Sequence, residues 1–81
     1  MKVKVKFFAA PREVIGRSEI EQELPAGATV RQLLDEILAQ YPALCRHVEA
    51  MNMAVNRRYV ELDAELRDGD TVACVPPVGG G

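Results

Sequence analysis

The chain has 81 residues, 48% hydrophobic and 27% charged, with ten basic against twelve acidic side chains and a formal net charge of −2. That length fits one domain, and a domain so small buries only about 60% of its unfolded surface, which points to modest stability and a benefit from partners. The charge balance argues against nucleic-acid binding driven by phosphate neutralisation, and the longest apolar run falls well short of a membrane span.

Two cysteines, Cys45 and Cys74, and one histidine, His47, have no metal-ligand spacing, so no metal site and no bound cofactor are expected. The cysteines read as reduced packing residues of a cytoplasmic protein. Met1 to Lys6 has no continuous apolar stretch of the kind a secretory signal needs.

Lys2 to Phe8 alternates strictly: Val3, Val5 and Phe7 share one face, and Lys2, Lys4 and Lys6 the other. This is the pattern of a half-buried strand. Ala9 to Gly16 reads as a loop carrying Pro11, Arg12 and Glu13, with Val14 and Ile15 tucked against the core. Ser18 to Leu24 alternates again, Ile20 and Leu24 opposite Glu19, Glu21 and Glu23. The two strands should pair as an antiparallel hairpin that sets the outward lysines against the outward glutamates.

Pro25 to Gly27 turn the chain, and Thr29 opens a helix. Thr29 and Gln32 fit a capping box, each satisfying an end of the first turn. Val30, Leu33, Leu34, Ile37, Leu38 and Tyr41 then recur at helical spacing as one apolar stripe, and Pro42 stops it. Pro42 to Asn52 allows a short second helix through Leu44, Val48 and Met51, with His47 read as a surface histidine. Met53 to Val55 reads as a strand, Asn56-Arg57 as a turn, and Tyr59 to Leu62 as a return strand. Asp68-Gly69 is a strong turn signal before the last strand, Thr71 to Val75, which buries Val72 and Cys74. One striped helix over a sheet gives an α+β class with a mixed sheet packed on one main helix.

The final stretch departs from this ordinary pattern. Pro76 and Pro77 fix φ, donate no N–H and end the strand. After Val78, the glycines Gly79, Gly80 and Gly81 reduce the chain to bare backbone that fits a slot too narrow for side chains. From Val75 onward, full extension spans about 23–25 Å. The reading therefore divides residues 1–75, a folded domain, from residues 76–81, a flexible tail whose Gly81 α-carboxylate is a free end.

Taken together, Phe7-Phe8-Ala9 with Arg12-Glu13, the capped helix from Thr29, Ala54-Val55-Asn56, Leu66 to Val72 and the closing Pro-Pro-Val-Gly-Gly-Gly resemble a known family. It is the small, sulfur-carrying subunit of molybdopterin synthase, within the ubiquitin-like β-grasp sulfur carriers. The resemblance implies a β-grasp fold and a protein with no turnover of its own. It implies an E1-like adenylyltransferase that activates Gly81 with ATP, followed by a C-terminal thiocarboxylate. It also implies a large catalytic synthase subunit, in a heterotetramer, where the sulfur reaches cyclic pyranopterin monophosphate. Gly81 carries the chemistry in this scheme. Pro76, Pro77, Val78, Gly79 and Gly80, with Phe8 and Val75 as an apolar patch beside the tail, bind the partners. A carrier for thiamine synthesis or tRNA thiolation, and a protein modifier joined to lysines through Gly81, remain alternatives.

Overall fold

The computed structural model describes residues 1–76. Pro77, Val78, Gly79, Gly80 and Gly81 lie outside the described residues.

Strand β1 (Lys2–Phe7) pairs antiparallel with β2 (Glu19–Glu23). Lys2 stands opposite Glu23, Lys4 opposite Glu21 and Lys6 opposite Glu19, as the alternation predicts. The connection between them is not the expected loop: Ala9–Ile15 forms a helix, α1. Pro11 sits in its first turn, where a missing N–H forfeits no helical hydrogen bond. Pro11, Val14 and Ile15, at i, i+3 and i+4, turn one short apolar face inward; Pro11 and Ile15 are buried. Gly16, at φ 78°, ends the helix in the left-handed region, and its N–H donates to the Arg12 carbonyl at 2.8 Å.

Helix α2 (Val30–Gln40) begins with the expected capping box. The Gln32 N–H donates to Thr29 Oγ1 at 3.3 Å, and the Thr29 N–H donates to Gln32 Oε1 at 2.8 Å. Val30, Leu33, Leu34 and Ile37 are buried beneath it. Pro42–Ala50 follows as a 3₁₀ segment. Leu44 is fully buried there, while the adjacent Cys45 is exposed, which corrects the reading of Cys45 as a packing residue. On a segment with three residues per turn, consecutive side chains point in different directions, and only one of the two reaches the core. His47 is half-buried rather than fully on the surface.

Strand β3 (Asn52–Val55) turns through Asn56 and Arg57 into β4, which is only Arg58–Tyr59. The expected return strand to Leu62 does not continue. Instead the Leu62 and Ala64 carbonyls accept the Arg31 and Val30 N–H groups at 2.9 and 3.0 Å. These donors open helix α2 and have no partner within it, so the segment after Tyr59 caps the helix rather than extending the sheet.

Strand β5 (Thr71–Val75) enters the middle of the sheet, parallel to β1 and antiparallel to β3, giving the order β2-β1-β5-β3-β4. Val3, Val5, Phe7, Val72 and Cys74 cover one face of the sheet and pack with α2 into a single core. This is the mixed-sheet α+β architecture expected from the sequence.

Candidate functional site

The opposite sheet face carries the candidate site. Registers across four strand pairs place Glu19, Lys6, Ala73, Ala54 and Tyr59 in one row, from the β2 edge to the β4 edge. The row is charged at one end and apolar at the other. Ala73 and Ala54 are too small to fill the middle, so they form a floor. Phe8 and Tyr59 rise on either side as the exposed large hydrophobics among the described residues, 46% and 65% accessible. Arg57 and Val75 complete a hollow of about 350 Å³ lined by these six residues. A second hollow shares Phe8, Arg57 and Ala73 and extends to Lys6, Asn56 and Thr71.

Local sequence explains why Phe8 points outward. Phe7 ends β1 facing the core at 1% exposure, and the next residue falls on the other face. Ala9, at φ 53°, then turns the chain into α1. Val75 likewise follows buried Cys74 on the open side of β5, opposite Asn52. Pro76 comes next and is half-buried. The last described residues, Val75 and Pro76, therefore lie at the lip of the hollow. Phe8 and Val75, named from the sequence, line it together; Pro76 adjoins them; the remaining tail residues named from the sequence lie outside the described residues.

Sequence reasoning missed Tyr59, Arg57, Ala54 and Ala73. Their signal was the run of alternate positions Thr71, Ala73 and Val75, which the last strand must present away from Val72 and Cys74. Joining it to Tyr59 requires knowing that β5 sits beside β3.

The body offers little for acid–base or nucleophilic chemistry. No polar or charged side chain is buried among the described residues, and no cluster of their His, Cys, Asp or Glu groups could hold a metal ion. Cys74 is fully buried on the core face, and loss of hydration pushes its thiol up from 9.0 to about 12. No helix among the described residues is long and apolar enough to cross a membrane.

A five-stranded mixed sheet grasping one main helix, with an apolar hollow on its open face beside the end of β5, defines a ubiquitin-like β-grasp domain. The chain belongs to the ThiS family, whose profile matches residues 5–81. It is 45% identical over 83 residues to the molybdopterin synthase sulfur carrier subunit of Chlamydomonas reinhardtii, with 100% of each chain covered. It is 37% identical to small archaeal modifier protein 3 of Haloferax volcanii, again with 100% of each covered. Among solved structures, SAMP1 of Haloferax volcanii superposes with a TM-score of 0.89 at 29% identity, covering 100% of both chains. A complex of subunits 1 and 2 of the molybdopterin-converting factor of Helicobacter pylori contains a chain matched with a TM-score of 0.71 at 28% identity, also covering 100% of both. The family expected from the tail and the Asp-Gly turn is thus the family found, and its relatives named as carrier subunits agree with a role as a carrier rather than a stand-alone enzyme.

Proposed function

We propose that this protein carries sulfur for molybdopterin synthesis, with the Gly81 carboxyl group as the carrying atom set. The observation that bears most weight is the full-length match to a molybdopterin synthase sulfur carrier subunit. A carboxylate with a pKa of about 3.3–3.7 is ionised at neutral pH and a poor electrophile. An E1-like adenylyltransferase joins it to the α-phosphorus of ATP, and pyrophosphate departs. Hydrosulfide released by a sulfur donor then attacks the acyl carbon, AMP leaves, a proton is lost, and a thiocarboxylate remains. That group is the nucleophile in the large catalytic subunit, where its sulfur passes to cyclic pyranopterin monophosphate and water restores the carboxylate.

Gly79 and Gly80 contribute no acid or base, so proton transfers fall to the partners. Phe8, Val75 and Pro76 give those partners a surface to hold, and Pro77 and Val78 link it to the glycines. In this reading the working assembly is a heterotetramer with the large subunit.

Incubation with the adenylyltransferase, ATP and a sulfur source should replace one carboxyl oxygen by sulfur in the intact mass. No mass change with a demonstrably active adenylyltransferase refutes the reading. Deleting Gly80 and Gly81 should abolish the change and leave thermal unfolding where it was.

A second reading, a modifier joined to target lysines through Gly81, draws on the full-length match to small archaeal modifier protein 3. It uses the same adenylate with an amine as the attacking group. Isopeptide-linked conjugates in cells would support it; their absence, alongside sulfur transfer, would leave the carrier alone.

A further inference from the structure

The hollow at the tail exit has a chemical polarity that the carrier role does not account for. The chain as a whole is acidic, yet the two adjoining hollows are lined by Lys6 and Arg57 and by no carboxylate among the described residues. Arg57 lines both. Lys6 faces Glu19 across the β1–β2 pair, which places a compensating charge beside it. Arg57 stands at the other end, next to Phe8, Ala54 and Tyr59.

Arg57 is also held there by the turn it sits in. The non-glycine residues with positive φ among the described residues are Ala9, Asn56 and Arg57, at 53°, 50° and 70°. All three adjoin this face: Asn56 and Arg57 line it, and Ala9 directly follows Phe8. At Asn56 and Arg57 this left-handed backbone is the conformation that a two-residue hairpin loop requires, with Val55 opposite Arg58 across the turn. The bonds at the Arg57 turn are on hand. Asn56 Nδ2 donates to Asp70 Oδ1 at 2.9 Å, and Asn56 Oδ1 accepts the Thr71 N–H at 3.0 Å. Asp70 Oδ2 accepts the Arg67 N–H at 2.8 Å, and the Asn56 N–H donates to the Thr71 carbonyl at 2.8 Å. The turn is therefore tied to the start of β5, the strand that launches the tail, and Asp70 is occupied by these bonds.

We propose that Arg57 is an ionic anchor of this face, selecting a large catalytic subunit that presents a carboxylate beside an apolar side chain. The apolar group seats on Ala54 and Ala73 between Phe8 and Tyr59, and the carboxylate meets the guanidinium at the rim. Guanidinium suits this task because its planar donors match a carboxylate two-on-two. The assignment rests on the carrier reading, in which the large subunit takes the tail and so covers the hollow at its exit.

The test is calorimetric binding of the full chain to the purified large subunit at low and at physiological salt. Arg57→Gln should weaken binding about tenfold at low salt, the effect of losing about 1.4 kcal/mol, and should flatten the salt dependence. Arg57→Lys should keep the salt dependence and recover part of the affinity, and Arg57→Glu should bind more weakly than Arg57→Gln. Thermal melts of the variants separate these effects from misfolding, and a merely structural arginine would leave the salt dependence untouched. Unchanged affinity and salt dependence in Arg57→Gln, with normal wild-type binding, overturn the anchor and leave the carrier reading intact. Failure of the wild-type chain to bind overturns the anchor as well, and the thiocarboxylate mass assay then reports separately whether the carrier reading survives.

Discussion

The two thiols should differ in reactivity by orders of magnitude, and the difference reports on the strand that launches the tail. Cys45 is exposed; Cys74 is fully buried two residues before Pro76, with Phe7 and Met53 as its register partners on either side. Burial moves the Cys74 thiol from 9.0 to about 12. At pH 8 this lowers its thiolate fraction about a thousandfold, and the thiolate is the reactive form. A reagent can bypass that barrier only when β5 leaves the sheet. If stability is about 5 kcal/mol, the low end for folded domains, on the order of one molecule in several thousand is open at any moment. Both routes predict that the buried Cys74 reacts orders of magnitude more slowly than the exposed Cys45. Single-thiol variants, Cys45→Ser and Cys74→Ala, allow each rate to be read with a chromogenic disulfide in native buffer and again in denaturant. Comparable native rates for the two would refute the claim that β5 stays seated. Acceleration of Cys74 only on binding the adenylyltransferase would show that activation peels the strand.

Three further outcomes follow from the same geometry. Thr29→Ala removes half of the capping box and should lower stability by about 1 kcal/mol in urea titration, with no change in sulfur loading. Asn56→Ala removes a donor to Asp70 and an acceptor for Thr71 N–H at a left-handed position, and should cost about 1–2 kcal/mol by the same assay. At alkaline pH, Cys74 ionises in the unfolded chain above 9.0 but in the folded chain only near 12. Its contribution is therefore intact below pH 9 and is lost as pH climbs toward 12, by up to about 1.4 kcal/mol per pH unit. Comparison of wild type with Cys74→Ala across that range isolates the slope, and parallel curves would contradict the burial.

The parts of the fold written in local periodicity were legible. The α2 stripe, its Thr29–Gln32 cap and the lysine–glutamate register of β1 and β2 all follow from spacing. Helix α1 was hidden because seven residues containing a proline look like a loop. Yet Pro11, Val14 and Ile15 carry helical spacing and Gly16 the stop signal. The loss of β4 after Tyr59 was not legible, because it depends on helix α2 drawing the Leu62 and Ala64 carbonyls away. The site divides in the same manner. Phe8 and Val75 could be placed from alternation, whereas Arg57 and Tyr59 join them only through the β5–β3–β4 neighbour relations, which connect positions far apart in the chain.

The seat of β5 has a mechanical consequence. A terminal strand on a sheet edge could be unzipped one bond at a time by a pull on whatever follows it. Here the pull meets ladders on both flanks, with β1 on one side and β3 on the other. Load applied at Val75 along the strand must slide it past both neighbours at once. A domain loaded through the end of this strand can thus bear tension without unravelling.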